Sequence, residues 1–314
     1  MKVFVTGGAG FIGSHVTHAL IGQGHSVTVF DNLSTGTYEN LTGLPIQFIE
    51  GDLADFDAVA RAVQGCEVVF HEAAMVSVPR SIAEPILNHQ SNVTGTFHLF
   101  EAARRASVRR VVYASSAAVY GDEPTLPKHE ASVIAPLSPY GAAKYIAEVY
   151  ATAYATAYGD RTQFVGLRYM NVFGPRQDPS SPYSGVLSIF CQAVLNGRPC
   201  RIFGDGEQTR DFVYVADVVH ANLLAATVPL PDKSAVFNIG RGEQTSLNQI
   251  VAILGELVPQ SVNVVYESER HGDIRHSVAN ISLARTCLGY MPRVSIRDGL
   301  RATLDWFRGT GSGS

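Results

Sequence analysis

Cysteine is scarce in this chain of 314 residues: there are four, Cys66, Cys191, Cys200 and Cys287, far apart and without a C-x-x-C pair. The spacing excludes a disulfide framework and a thiolate zinc site, which leaves reduced thiols and no metal as the expectation. Charge is sparse too, at 17% with a formal net charge of -4, so nothing draws the chain to nucleic acid or to an anionic membrane. No apolar run reaches the roughly 18 residues of a membrane span. The N-terminus passes from Met1-Lys2 into Val3-Phe4-Val5-Thr6 and is broken by Gly7, Gly8 and Gly10 before a signal-peptide core can form. The expectation is a cytoplasmic protein whose partner is a small molecule.

What is present is an ordinary globular composition, 46% hydrophobic. Short β-rich runs alternate with helical patterns through the first half, which predicts an α/β fold with a parallel sheet and helices on both faces. The expected strands lie near residues 2–6, 26–30, 46–50, 67–71, 109–114 and 163–168, and the expected helices near 12–23, 55–65, 83–106 and 139–158. From about residue 170, Gly174-Pro175, Pro179, Pro182, Pro199 and Gly204 break the pattern. The predicted division is a first lobe over 1–171, a smaller C-terminal substrate lobe over 172–308 that exchanges segments with it, and a flexible tail at 309–314. The segment 139–158 is apolar on almost every side, which predicts burial against the sheet on one side and, on another, against either a second subunit or more of its own chain.

The run Thr6-Gly7-Gly8-Ala9-Gly10-Phe11-Ile12-Gly13 follows an apolar strand and opens a helix. Gly7, Gly10 and Gly13 suit a tight turn, close approach of backbone to a pyrophosphate, and close helix-to-strand packing. The helix start offers free N–H groups and a positive dipole end to phosphates. Asp31 ends the next strand, where a carboxylate bonds a ribose 2′-hydroxyl and repels a 2′-phosphate, and no arginine lies between Asn32 and Asn40 to compensate. The first lobe is therefore expected to be a Rossmann-type, doubly wound domain that binds NAD in preference to NADP. Asp52, at the end of the third strand, is either an adenine contact or a helix cap.

Tyr140 and Lys144 are one helical turn apart, hence on one face. A cationic neighbour and a positively charged nicotinamide both favour the phenolate over the phenol, so the pair predicts a proton-transfer base that works near neutral pH. The strand Arg110-Val111-Val112-Tyr113-Ala114-Ser115-Ser116 brings hydroxyls to the carboxyl end of a parallel sheet, where ligands bind, and Ser116 is expected to share a substrate oxygen with Tyr140.

Together, Thr6 to Gly13, Asp31, Asn92, the run Ser115-Ser116-Ala117-Ala118-Val119-Tyr120-Gly121 and Tyr140-x-x-x-Lys144 resemble the extended short-chain dehydrogenase/reductase family over nearly the whole chain. Within it, the chain is most similar to the UDP-hexose 4-epimerases, the UDP-galactose and UDP-N-acetylglucosamine group. The resemblance implies further NAD contacts from Phe11, Ile12, Asn32, Leu53, Ala73, Ala74, Asn92 and Ser115, and a homodimer built by the helices near 83–106 and 139–158. It implies that Tyr140 takes the O4 proton of a UDP-sugar while C4 gives up hydride, and that the 4-keto sugar turns over and takes the hydride back on its other face. Similar dehydratases and decarboxylases carry an acid just before the Val-Tyr-Gly; Ser116, Ala117 and Ala118 stand there instead, which favours simple return of the hydride.

On the substrate side the resemblance assigns the diphosphate to Asn171, Arg210 and Arg270, the uracil to Phe203, the uridine ribose to Asp273 and the space beside the sugar C2 group to Ser277. Planar guanidiniums suit that diphosphate. Met170 departs from the Phe common under the nicotinamide. The alternatives are a UDP-glucuronate 4-epimerase, another NAD-dependent nucleotide-sugar oxidoreductase, or a non-catalytic NAD sensor; the last has no use for Ser116, Tyr140 and Lys144.

Overall fold

The computed structural model describes residues 1–158, 161–179, 185–269 and 274–311. Its strands are β1 (Lys2–Thr6), β2 (Ser26–Asp31), β3 (Gln47–Glu50), β4 (Val68–His71), β5 (Arg110–Ser116), β6 (Gln163–Tyr169), β7 (Asn171–Phe173), β8 (Cys200–Phe203), β9 (Thr209–Arg210), β10 (Phe212–Tyr214), β11 (Ser234–Ile239), β12 (Thr245–Ser246) and β13 (Val264–Glu267). The helices are α1 (Phe11–Gly22), α2 (Phe56–Ala62), α3 (Val78–Ala83), α4 (Pro85–His89), α5 (Gly95–Arg105), α6 (Pro139–Tyr158), α7 (Val186–Leu195), α8 (Val215–Thr227), α9 (Leu247–Leu257), α10 (Ser282–Leu288) and α11 (Ile296–Gly311).

Seven strands form one sheet in the order β11-β6-β5-β4-β1-β2-β3, and every neighbouring pair is parallel. The order reverses between β1 and β4, the Rossmann arrangement, and ligands of such sheets bind in the crevice at that reversal. Strands covered on both faces read as unbroken apolar runs, and β4 (Val68-Val69-Phe70-His71) is buried along its whole length. On one face Val16 and Leu20 of α1 and Val218, Ala221 and Ala225 of α8 pack against Val3, Val5 and Val29. The other face is covered by Val59 of α2, Leu99 and Phe100 of α5, and Ala147 and Ala151 of α6. A third cluster joins Phe173, Leu187, Phe190, Ile250, Leu254, Leu300 and Leu304 in the C-terminal part. No helix among the described residues is long and apolar enough to cross a membrane.

Six strands form where the sequence places them, with ends shifted by a residue or two. The seventh, β11, comes from the C-terminal half and was not foreseen. The helix expected over 83–106 runs from Pro85 to Arg105, and a π-turn over Gln90–Thr94 widens it between α4 and α5. Pro85 sits where proline fits a helix, at its first position, and so starts α4 instead of letting a helix run through. The wide turn buries Asn92, whose Oδ1 accepts from Met75 N at 2.8 Å while Nδ2 donates to Met75 O at 3.1 Å and Asn88 Oδ1 at 2.8 Å. At the C-terminus α11, anchored by buried Leu300 and Leu304, continues to Gly311 and enters the stretch expected to be a tail. Residues 312–314 lie outside the described residues.

Candidate active site

The crevice is built first by what its glycines omit. Gly7 turns out of β1 with φ +68, and a Cβ there would lie 2.5 Å from Ala73 N. A Cβ on Gly13 would lie 2.1 Å from Gly7 O, so only glycine lets α1 approach the turn this closely. The first helical N–H groups, from Phe11, Ile12 and Gly13 onward, face the loop end of β1, and Phe11 rests edge-on against His15. Asp31, buried at the end of β2, accepts from Ala9 N and Leu33 N, each at 2.9 Å. It thereby ties the glycine turn to the strand that would receive a ribose. Asp52 accepts from Ala54 N at 2.8 Å, as a cap does, and also from Asn32 Nδ2 at 2.8 Å. Leu53 is buried under Gly95, where a Cβ would meet it at 2.8 Å. Ala73 and Ala74 line the segment between β4 and Met75 that Asn92 braces from behind. A cradle that side chains would fill, a helix start and a strand-end carboxylate fit NAD. Bound there, NAD supplies a hydride acceptor and a positive charge.

Replacing Asp31 with Ala is expected to weaken NAD roughly tenfold, and NADP less, because the carboxylate's bond to the 2′-hydroxyl is one that NADP does not have. Titration of both cofactors checks this, and an equal loss for the two would speak against it.

The candidate chemical groups converge at the end of β5. Burial pushes the Tyr140 phenol above its ordinary range; the hydrogen bond with Ser116 acts the other way, and the Glu72 carboxylate reinforces the rise. Lys144 Nζ lies 5.9 Å from the Tyr140 ring centre and donates to Ala114 O at 2.9 Å, so in the folded chain desolvation, not the ammonium, dominates the phenol. Lys144 is itself lowered to about 8 by burial, with Glu72 opposing that fall. Ser116 Oγ accepts from Ala118 N at 3.1 Å and opens the short helix after β5. Ser115, expected to contact the cofactor, instead directs its hydroxyl to Glu148 Oε1 at 2.5 Å. Alternation along a strand turns neighbouring side chains to opposite sides. Asn92, likewise expected at the cofactor, has its carboxamide engaged with Met75 and Asn88.

Two groups went unnoticed in the sequence. His71 is buried between Thr6 Oγ1 at 2.7 Å and Thr96 Oγ1 at 2.9 Å, and burial lowers it to about 3. Glu72 accepts from Tyr169 OH at 2.9 Å, and burial raises it to about 7 against the Tyr169 bond and Lys144. Their only sequence signal was adjacency to the end of a strand.

The expected substrate residues form a second group. Asn171 is exposed on β7, and its N donates to Asp211 O at 3.0 Å. Arg210 on β9 donates from Nη1 to Thr209 O at 2.9 Å, and Ser277 N donates to Thr209 O at 3.1 Å, so Ser277 stands beside the Arg210 strand. Gln208 Nε2 donates to Phe203 O at 2.7 Å and brings Phe203 to the same corner. Asp211, also missed, holds this corner together by accepting from Arg241 N, Gly242 N and Ala279 N at 2.7, 3.0 and 3.2 Å. Met170 is buried against the same junction, where a Cβ on Gly240 would lie 2.8 Å from it. Arg270 and Asp273 lie outside the described residues.

Comparison with known proteins finds the same architecture. Residues 3–240 match the model of the NAD dependent epimerase/dehydratase family. A putative UDP-glucose 4-epimerase of Methanocaldococcus jannaschii is 39% identical, covering 98% of this chain and 98% of its own length. A solved UDP-N-acetylglucosamine 4-epimerase of Methanobrevibacter ruminantium, in complex with UDP-N-acetylmuramic acid, superposes with a TM-score of 0.94 at 40% identity over 98% of each chain. A Thermotoga maritima UDP-glucose 4-epimerase with UDP-glucose also gives 0.94, at 41% identity over 99% of each chain. With its glycine cradle, strand-end aspartate and Ser-Tyr-Lys cluster on a seven-stranded parallel sheet, the chain belongs to the NAD dependent epimerase/dehydratase family, and its cofactor is NAD.

Proposed function

We propose that the protein interconverts the C4 epimers of UDP-hexoses, both UDP-glucose with UDP-galactose and UDP-N-acetylglucosamine with UDP-N-acetylgalactosamine. The observation that carries this is the meeting of Ser116, Tyr140 and Lys144 at the carboxyl end of β5, beside the cradle and with no acid at positions 116–118. Tyr140 takes the proton from O4 of the sugar, and Ser116 bonds both that oxygen and the phenol. The Ser116 bond favours the phenolate. Lys144, at about 8, stays mainly an ammonium at neutral pH and adds positive charge near the ring. With no acid at positions 116–118 to promote elimination or decarboxylation, the 4-keto sugar takes its hydride back, and Tyr140 returns the proton as the alcohol is restored on either face. Residues 1–171 with β11 hold the cofactor, and the UDP-sugar is held by Asn171 at the boundary together with Phe203, Arg210, Arg270, Asp273 and Ser277 of 172–308.

A homodimer is part of the reading. Phe97 of α5 and Tyr145, Val149 and Tyr150 of α6 are exposed, and a groove lined by Phe56, Phe97, Tyr150, Tyr154 and Tyr158 lies between the two helices. Such a patch calls for an apolar partner, and a second copy supplies the same helices.

The reading is tested by denaturing the purified protein to release NAD and assaying the native form on UDP-glucose, UDP-N-acetylglucosamine and UDP-glucuronate. Turnover of the first two supports it; turnover of UDP-glucuronate alone would replace it.

Ser277 decides the sugar range. It is small and half-buried beside Arg210, so it leaves room that a tyrosine ring would fill. Wild type is expected to turn over both sugar pairs, and Ser277→Tyr to depress kcat/KM for the N-acetylated pair selectively, by a clash built against one substrate. The ratio of the two kcat/KM values before and after substitution is the measurement, and an unchanged ratio removes Ser277 from the pocket wall.

A further inference from the structure

We infer that Glu148 is a positioning residue for the reaction, acting with Ser115 and Arg168 to set the Tyr140 phenol against Ser116. Tyr140, Lys144 and Glu148 follow one another by a helical turn on one face of α6. Each grips a different residue at the end of β5. The Tyr140 phenol faces Ser116, Lys144 Nζ donates to Ala114 O at 2.9 Å, and Glu148 Oε1 accepts from Ser115 Oγ at 2.5 Å. Three consecutive strand residues are thus held by three consecutive turns of the helix, and the Glu148 grip is the one that handles no proton in the proposed reaction.

Glu148 is fixed in its turn. Arg168 on β6 donates from Nε to Glu148 Oε1 at 2.9 Å and from Nη2 to Oε2 at 2.6 Å, with both side chains 5% exposed. Arg168 Nη1 donates to Tyr120 OH at 2.8 Å, and Tyr120 OH donates to Asn238 Oδ1 at 2.6 Å. Asn238 Nδ2 donates to Lys128 O at 3.0 Å, and Lys128 N donates to Val278 O at 2.8 Å, next to Ser277. The chain of bonds runs from the catalytic strand to the segment proposed to meet the sugar.

A buried ion pair is a poor way to hold a helix on a sheet, since apolar side chains of similar volume do that as well or better. What it adds is direction. A bidentate guanidinium and a short hydroxyl bond fix the carboxylate in the plane and along the strand, whereas apolar contact allows sliding. Proton transfer needs that constraint, because sub-ångström placement of the phenol governs its rate.

This rests on the proton-transfer role proposed for Tyr140. The test is Ser115→Ala and Ser115→Thr in the full chain, with kcat and KM on UDP-glucose and UDP-N-acetylglucosamine, NAD released on denaturation, and melting temperature. Ser115→Ala should lower kcat roughly 10- to 100-fold with KM and NAD content unchanged, and Ser115→Thr, which keeps the hydroxyl, should restore most of it. Wild-type kcat in Ser115→Ala, or a loss that Ser115→Thr does not restore, overturns the inference. Loss of activity in proportion to lost NAD also overturns it, because Ser115 would then serve the cofactor. An inactive Tyr140→Phe beside a fully active Ser115→Ala sinks positioning alone; an active Tyr140→Phe sinks the proton-transfer role and the positioning role with it.

Discussion

Replacing Tyr140 with Phe is expected to lower kcat by roughly 10² to 10⁴ while NAD stays bound. The substitution removes one oxygen and keeps the ring, which is buried at 8% exposure, so packing of α6 against β5 survives. Ser116 keeps its bond from Ala118 N but loses the phenol, leaving no group placed to take the O4 proton. The cofactor cradle lies elsewhere, at Gly7 to Gly13 and Asp31, so NAD released on denaturation should match wild type. Because the chain's own burial holds the phenol high, wild-type activity should climb with pH as Tyr140 gives up its proton. Wild-type turnover by the variant would remove Tyr140 from the mechanism.

The second large effect is on stability. Arg168→Met should cost about 3–5 kcal/mol, since it strands the Glu148 carboxylate in the interior with Ser115 as its remaining donor. Burial opposes charge on Arg168, yet its bonds to Glu148 hold the guanidinium above its ordinary range, so the folded state favours the paired ion. The double variant Glu148→Leu with Arg168→Met removes both charges and should recover most of the loss. Urea unfolding of the two variants decides it. Equal instability in both would mean that the cost is packing rather than an orphaned charge.

Parts of this molecule are written locally and parts are not. The β1 to β6 strands and α6 were legible because each is an apolar run bounded by glycine, proline or a polar turn. The glycine cradle was legible for another reason: Gly10 and Gly13 crowd Gly7 O a few residues away, and Gly7 takes a positive φ of its own. The strand β11 was not, because Ser234-Ala235-Val236-Phe237-Asn238-Ile239 lies outside the regular strand–helix alternation of the first half and takes its place by pairing with β6, far upstream. The π-turn at Gln90–Thr94 was also hidden, since nothing local marks it and the Asn92 it buries is held by Met75, far upstream. The bonds of Ser115 to Glu148 and of Asn92 to Met75 and Asn88 were hidden for the same reason: sequence proximity to the site does not say which way a side chain turns. The burial of Tyr140 was not legible either, because spacing reveals a neighbouring charge but not the loss of water around the phenol.

The late arrival of β11 has a bearing on how the chain is made. It pairs with β6 from Ser234↔Phe164 to Ile239↔Tyr169, so while a ribosome is still extruding the intervening residues, β6 is the open edge of the nascent sheet. An unpaired edge rich in Phe164, Val165 and Leu167 is a template for wrong strands. Synthesis proceeds at about 5–20 residues per second, which leaves that edge bare for seconds, long enough for a chaperone to be the first partner it meets. For the same reason a fragment stopped at residue 171 would carry the whole cofactor cradle and still be an unfinished sheet, sticky along the strand that supplies Arg168.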